Sequence, residues 1–420
     1  MRSQSRDTER PEVLIIGGGF AGLTAMHAMA RTAAAVTLVD RNVYSTFQPL
    51  LYEVATAGLT AADVAYPLWS ATFRRGAQYR KGELAGLDLE RRIATLDTGE
   101  KLSYDFLIIA TGVNAAFFGV PGAAEHALSL YTRRDAVRLR NSLMDALERR
   151  NEGLAGPEID ITVVGGGATG VELAATLAEL RNFALPAVYP NIDRSMFQVR
   201  LIEMGPALLA PYHRKLRDYT RQQLVDRGVE VLLGTAIKEV RDGAVLLPDG
   251  SERRSDITVW AAGVAGTDAE WTRALPRGQG GRIEVGADLR VTGQERVFAA
   301  GDIAVNSADP VPQLAQPALQ EGKHAGEQVA RLLRGLPTQP FSYHDKGIMA
   351  TIGRRSAVVE LHSGLRLRGT VAWLAWLGLH LIYLLGNRNR VVTLFNLAWR
   401  YLTWSRGGGI IVGDDVPGQE

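Results

Sequence analysis

The stretch Val13-Leu14-Ile15-Ile16-Gly17-Gly18-Gly19-Phe20-Ala21-Gly22 decides how the rest of the chain is read. An apolar, largely β-branched run leads into glycines and then into an Ala- and Leu-bearing stretch of helical character. That order is strand, turn and helix, the opening of a Rossmann unit. The spacing Gly17-x-Gly19-x-x-Gly22 lets the backbone come close to a pyrophosphate and packs the helix on its strand. The helix N-terminus then offers free N–H groups and its positive dipole end to the phosphates. Asp40 follows Gly22 by 18 residues, at the end of the apolar run 35–39, where a carboxylate would meet an adenosine ribose.

The pattern occurs twice. Ile161-Thr162-Val163-Val164-Gly165-Gly166-Gly167-Ala168-Thr169-Gly170 repeats it, with Gly165, Gly167 and Gly170 in the fingerprint positions and Val171 next in line. Two copies imply two dinucleotide sites. Here the acid is Glu203, 33 residues after Gly170, which exceeds the usual gap of about 20. Residues 183–197, rich in Pro, Tyr and Asn, look like an insertion that accounts for the excess. The residues after Glu203 are Met204, Gly205 and Pro206, none of them basic. A carboxylate there repels a 2′-phosphate, so NADH is favoured over NADPH.

Other segments fall around these units. Residues 84–109 hold short alternating runs and turns, expected as antiparallel strands. Residues 125–150 have charged helical spacing, and 151–157 form a Gly/Pro-bearing linker. Residues 199–203 and 229–233 are expected strands of the second unit. Residues 251–263 resemble 102–112, each a polar start, an apolar strand and Ala-x-Gly. Residues 296–302 are a short strand running into a glycine turn.

Composition narrows the chemistry. The 420 residues suffice for two domains with real cores. A net charge of +2 argues against a nucleic-acid binder. With no cysteine, disulfide, iron–sulfur and thiolate redox chemistry are excluded, so electrons must travel through bound organic cofactors. No cluster suggests a metal site. The polar start 1–10 gives no sign of a secretory signal. The longest apolar run, 371–385, is interrupted by His380 and falls short of the ~20 residues of a spanning helix.

The paired fingerprints, with Ala110-Thr111-Gly112 after an apolar strand and Ala299-Ala300-Gly301-Asp302 after another, resemble the two-dinucleotide-domain flavoprotein reductases. The resemblance covers roughly the first 330 residues. It implies FAD on the first fold and NAD(P)H on the second. Asp302 would sit on the FAD ribityl chain, and Ala110, Thr111 and Gly112 near its phosphates and ribose. Two stretches point to one branch, the type II NADH dehydrogenases: residues 42–58, which include Phe47-Gln48-Pro49-Leu50-Leu51-Tyr52-Glu53-Val54-Ala55, and Ala315-Gln316-Pro317-Ala318-Leu319-Gln320, similar to that family's quinone-site pattern. Lys346-Gly347 and Met349-Ala350 match a further family stretch. Gln316 and Gln320 lie i, i+4 and share a helix face. Neutral amides can donate to a quinone carbonyl without burying a charge. Glu172, in the first turn after Gly170, has two readings: favourable placement at the helix dipole, or a role beside nicotinamide and flavin.

The expectations are therefore an α/β fold with two Rossmann-like dinucleotide-binding domains and a C-terminal membrane-associating helical segment. A discontinuous FAD domain spans 1–124 and 290–345, an NADH domain 125–289, and a membrane-interface and quinone-access region 346–420. FAD contacts are expected from Gly17, Gly19, Phe20, Ala21, Gly22, Asp40, Arg41, Ala110, Thr111, Gly112, Gly301, Asp302 and Lys346. NADH contacts are expected from Gly165, Gly167, Gly170, Val171, Glu203 and Gly263. Glu172, Gln316 and Gln320 are the expected catalytic residues.

Residues 361–413 carry six arginines, four tryptophans and no Asp or Glu. Val391, Leu394, Phe395, Ala398, Trp399 and Leu402 fall on one helical stripe, flanked by Arg388, Arg390, Arg400 and Arg406. Such a segment suits a membrane interface, where anionic head groups add ~1 kcal/mol per basic side chain. The expected protein is a peripheral NADH:quinone oxidoreductase on the cytoplasmic membrane face. It would bind quinone and lipid, pump no protons and form a possible homodimer. A soluble reductase of a ferredoxin-type carrier is the alternative on the same fold, and a flavoprotein for binding or signalling is a second.

Overall fold

The computed structural model describes residues 10–403, and the side chains of residues 10–397. The expectations placed on the Ala398, Trp399, Arg400 and Leu402 side chains, and on Arg406, lie outside the described residues. The principal elements run β1 (Glu12–Ile16), α1 (Phe20–Met29), β2 (Ala35–Asp40), α2 (Leu68–Phe73), β3 (Gln78–Lys81), β4 (Phe106–Ile109), β5 (Ala127–Ser129), α3 (Arg133–Asn151), β6 (Ile159–Val164) and α4 (Ala168–Glu179). They continue with β7 (Phe197–Glu203), β8 (Val229–Leu233), β9 (Ile257–Trp260), β10 (Val297–Ala299), α5 (Ala315–Leu332), β11 (Ile348–Thr351), β12 (Ala357–Glu360), β13 (Arg366–Arg368), α6 (Gly369–Tyr383) and α7 (Asn387–Thr403).

The chain forms two compact units. The first comprises residues 10–45, Tyr66–Asn114 and Val264–Asp345. Its sheet is parallel throughout, in the order β10-β4-β1-β2-β3. Val13 pairs with Val36 on one side and Phe106 on the other. Central strands of such a sheet are covered on both faces, which is why Val13 to Ile16 and Phe106 to Ile109 are apolar at every position rather than alternating. Residues 84–103 form the expected antiparallel meander, whereas β4 leaves it and joins the parallel sheet. Helix α5 reaches α1 across a long sequence gap. A methyl group at Gly322 would strike the Ala21 carbonyl, and one at Gly326 the Ala25 carbonyl. The two backbones can approach only because those side chains are absent.

The second unit comprises Thr46–Ala65, Ala115–Gly263 and residues 346–403. Its parallel sheet has the order β5-β9-β6-β7-β8. Helix α3 starts on a reciprocal cap: Asp135 N–H donates to Thr132 Oγ1, and the Asp135 carboxylate accepts from Thr132 N–H. The excess length before β7 folds as a π turn (Leu180–Ala184), a short helix (Leu185–Val188) and a 3-10 turn (Arg194–Met196). An antiparallel sheet, β11-β12-β13, precedes α6. Helix α6 buries only Ala372 and Trp376 and exposes Val371, Leu374 and Ile382. Among the described residues no helix is long and apolar enough to cross a membrane.

Candidate functional site

The two glycine turns have the same construction. Gly17 and Gly165 adopt φ of 107° and 111°, a region that suits glycine. Their N–H groups donate to Val39 O and Ile202 O, both at 2.8 Å, which fixes each turn to the neighbouring strand. Side chains at Gly22 and Gly170 would collide with the Gly17 and Gly165 carbonyls. Gly19 and Gly167 face open space, with nothing within 4 Å of where a Cβ would stand. A flat, side-chain-free opening at a helix N-terminus is what a pyrophosphate needs.

The middle glycine of each triplet has a separate task that the fingerprint did not reveal. Gly18 N–H donates to Asp40 Oδ2 at 2.6 Å, and Gly166 N–H donates to Glu203 Oε2 at 2.5 Å. The second carboxylate oxygen accepts Asn42 N–H (2.7 Å) in the first unit and Gly205 N–H (2.5 Å) in the second. Each acid is therefore locked between two backbone donors before any ligand arrives. A carboxylate has about four acceptor positions, so capacity remains for a ribose. Burial pushes the Asp40 carboxyl up, partly offset by the Asn42 and Gly18 N–H groups. Arg41 beside it is exposed and pairs with Glu83 at 3.3 Å.

The first unit gathers further groups about this turn. A side chain at Gly17 would meet Ala110 O, so the Ala110–Gly112 segment lies against the glycine turn. Thr111 Oγ1 is buried without a hydrogen-bond partner among the described residues, and Gly112 has φ 70°. Phe20 and Ala21 open α1. Gly301 (φ 77°) follows β10, with a Cβ there 3.0 Å from Ala21 Cβ. Asp302 O accepts Arg282 Nε at 2.9 Å. Glu321, on α5, accepts Gly301 N–H at 2.6 Å through Oε2. Burial pushes its carboxyl up to about 7. Neither Glu321 nor Arg282 was singled out in the sequence. A hydroxyl orphaned among the described residues, a glycine opening and an acid with spare acceptor positions together fit a dinucleotide such as FAD.

Gln316 and Gln320 both lie on α5, and their amides differ. Gln320 is occupied: Nε2 donates to His344 O and Oε1 accepts His344 N–H, both at 3.0 Å. His324 bonds Gln339 O at 2.9 Å through Nε2, and Gln328 Oε1 accepts Gln339 N–H at 2.8 Å. One helix stripe thus holds segment 339–344. Gln316, at the start of the helix, forms no such bond among the described residues.

In the second unit, Gly263 (φ 159°) accepts Ala116 N–H on its carbonyl and faces the Phe118 ring. Val171 is fully buried behind Gly170, and Lys346 is exposed just before β11. Glu172 is buried, and Thr351 N–H donates to its Oε1 at 3.2 Å. Burial, with Glu53 adding repulsion, pushes the Glu172 carboxyl up to about 8. The Trp376 indole N–H faces the same carboxylate but has no hydrogen-bond partner among the described residues. Trp376 stacks on His380 with centroids 4.1 Å apart. Tyr52 tilts against Trp376 at 6.4 Å, and Phe47 stands edge-on to His380 at 6.1 Å. The 42–58 stretch and α6 so build one aromatic wall beside Glu172. A tryptophan and a histidine inside an apolar helical run gave no sequence signal for this.

Residues 11–322 match the family model described as pyridine nucleotide-disulphide oxidoreductase, and the chain belongs to that family. Within it the chain falls among the type II NADH:quinone oxidoreductases. It is 34% identical to the Mycobacterium tuberculosis protein of that name designated Ndh, over 97% of this chain and 92% of the relative. It is 36% identical to the second one, NdhA, over 95% and 88%. A Haemophilus influenzae type II NADH:quinone oxidoreductase is 28% identical over 88% of this chain and 92% of its own. In fold, the chain matches Plasmodium falciparum NDH2 solved in complex with NADH (TM-score 0.87, 19% identity, 96% of this chain and 100% of the other). It also matches the Aquifex aeolicus sulfide:quinone oxidoreductase (TM-score 0.76, 17% identity, 96% of each).

Proposed function

We infer that this chain oxidises NADH and passes two electrons to a quinone through bound FAD, without pumping protons. The observation that carries the reading is the 34–36% identity to type II NADH:quinone oxidoreductases over nearly the whole chain, which extends well past residue 322. A soluble ferredoxin-type reductase is disfavoured by the same relatives.

FAD, when bound, supplies the two-electron carrier, accepting hydride equivalents from NADH and returning electrons to the quinone. Gly17, Gly19, Phe20, Ala21 and Gly22 admit its pyrophosphate at the α1 N-terminus. Asp40 takes the adenosine ribose, with Arg41 at the rim. Ala110, Thr111 and Gly112 line the phosphate side, where the Thr111 hydroxyl gains its partner. Gly301 and Asp302 hold the ribityl chain, and Lys346 adds a cationic contact. NADH lies over Gly165, Gly167, Gly170 and Val171, with Glu203 on its ribose and Gly263 under its nicotinamide end. Glu203 excludes a 2′-phosphate because two backbone N–H groups already hold the carboxylate in place.

Gln316 donates an amide N–H to the quinone carbonyl. Gln320, tied to His344, fixes the segment beside it. Glu172 holds a proton at neutral pH and can give it up as the quinone is reduced. The quinone comes from a bilayer. Val371, Leu374 and Ile382 on α6, and Val391, Leu394 and Phe395 on α7, are exposed beside the exposed Arg366, Arg368, Arg388 and Arg390. This composition supports peripheral attachment, and the cytoplasmic face is part of the proposal. Homodimer formation is a further element of the proposal. The function is tested by steady-state oxidation of NADH and of NADPH with a short-chain quinone. The expected outcome is robust NADH turnover, weak NADPH turnover, and a smaller preference in Glu203→Gln. Equal use of both coenzymes by the wild type would count against the role of Glu203, and no turnover against the function.

A further inference from the structure

The first unit exposes an aromatic patch that the proposed site does not use. Helix α2 buries Leu68, Ala71 and Thr72 and turns Trp69 and Phe73, i and i+4, to solvent. Trp69 is 63% exposed and Phe73 is 81% exposed. Leu68 N–H donates to Val43 O at 3.0 Å, which brings Val43, itself 49% exposed, alongside. Large side chains grouped this way on a surface mark a partner.

Charge says what the partner is. Arg74 and Arg75 follow Phe73 directly, are exposed, and form no ion pair among the described residues. Residues 64–82 contain Arg74, Arg75, Arg80 and Lys81 and no Asp or Glu. A cavity of about 280 Å³ opens at the end of α2, bordered by Arg10, Met26, Met29, Thr32, Arg75 and Ala77. Two guanidinium groups border it and no carboxylate does among the described residues. Exposed tryptophan and phenylalanine next in sequence to arginines without an ion pair among the described residues suit the head-group boundary of an anionic bilayer.

We propose that Val43, Trp69 and Phe73, with Arg74 and Arg75, form a second membrane-docking surface, carried by residues of the first unit rather than by α6 and α7. The inference rests on the reading of the protein as a membrane-bound quinone reductase.

The absence of cysteine allows single-thiol probes. Phe73→Cys, Leu394→Cys on α7 and Thr98→Cys in an exposed turn are each labelled with an environment-sensitive fluorophore in the FAD-loaded protein. They are mixed with vesicles of phosphatidylglycerol and phosphatidylcholine. The expected result is a blue shift at positions 73 and 394 and none at 98. A silent position 73 beside a responsive 394 overturns this proposal and spares the membrane reading. Silence at both overturns the two together. A blue shift at 73 that tracks protein concentration without vesicles assigns the patch to a protein partner and also overturns it. In the unlabelled protein, Arg74→Gln with Arg75→Gln should weaken partitioning onto phosphatidylglycerol vesicles by roughly ten- to thirty-fold. Turnover with a water-soluble quinone should be unchanged. Unaltered partitioning contradicts the proposal.

Discussion

Glu321 Oε2 accepts the Gly301 N–H at 2.6 Å and so ties α5 to the turn that carries Asp302. From the other side Arg282 donates to the Asp302 and Ala304 carbonyls. The turn is thus clamped at its N–H side by a carboxylate and at its carbonyl side by a guanidinium. Removing the acceptor leaves a buried N–H unsatisfied, which costs about 1–3 kcal/mol. Glu321→Ala should therefore lower thermal stability and release flavin more readily, while Glu321→Gln keeps an acceptor and is milder. The folded carboxyl sits near 7, above its ordinary 4.5. Its contribution is present below about 4.5 and is lost as pH rises to about 7. Relative to wild type, the Gln variant should gain stability as pH rises from about 4.5 to about 7 and hold that gain above it. Melting temperatures across that range check the sign.

Gly17 and Gly19 should respond differently to one methyl group. Gly17→Ala combines a left-handed backbone with a clash against Ala110 O and should cost at least 1–3 kcal/mol. Gly19→Ala meets only open space. Its melting temperature without added flavin should match wild type, yet its FAD affinity should fall about ten-fold if the pyrophosphate lies there. Calorimetry and flavin titration separate the two effects.

Gln316 and Gln320 should divide function from structure. Gln316→Leu should raise the quinone KM on the order of ten-fold, leave the NADH KM unchanged and preserve the melting temperature, since no hydrogen bond among the described residues is lost. Gln320→Ala removes both bonds to His344. It should cost on the order of 1–2 kcal/mol, seen as a fall of a few degrees in melting temperature.

Glu172 is a buried acid whose proton is held to about pH 8. If that proton serves quinone reduction, Glu172→Gln should slow turnover by about 10²-fold at pH 7 and abolish the wild-type decline near pH 8. Unchanged turnover with both substrates would leave Glu172 only its position at the start of α4.

Local pattern made much of the fold legible. The runs leading into Gly17 and Gly165 became central parallel strands because burial on both sheet faces favours near-continuous apolar sequence, interrupted between Ile161 and Val164 only by the buried Thr162. Asp40 was legible from its spacing, whereas Glu203 was legible from its place at the end of an apolar strand, 33 residues after Gly170. The tie from Gly18 and Gly166 to those acids was hidden because a fingerprint counts glycines without saying where each N–H points. Glu321 and Arg282 were hidden for another reason. Each is a single charge on an otherwise ordinary segment, and its burial follows from contacts distant in sequence. Trp376 and His380 lay inside a run with no periodicity, so composition named the segment apolar without telling that one edge closes on Glu172.

The central claim is that electrons pass from NADH through flavin to a quinone, and anaerobic flavin absorbance tests it most directly. Purified FAD-loaded protein is mixed with NADH without oxygen, and a short-chain quinone is then added. The account predicts bleaching of the flavin band by NADH and full recovery on quinone addition, at one quinone per NADH consumed. Bleaching without recovery would contradict the quinone assignment, and no bleaching at all would contradict the claim at its root.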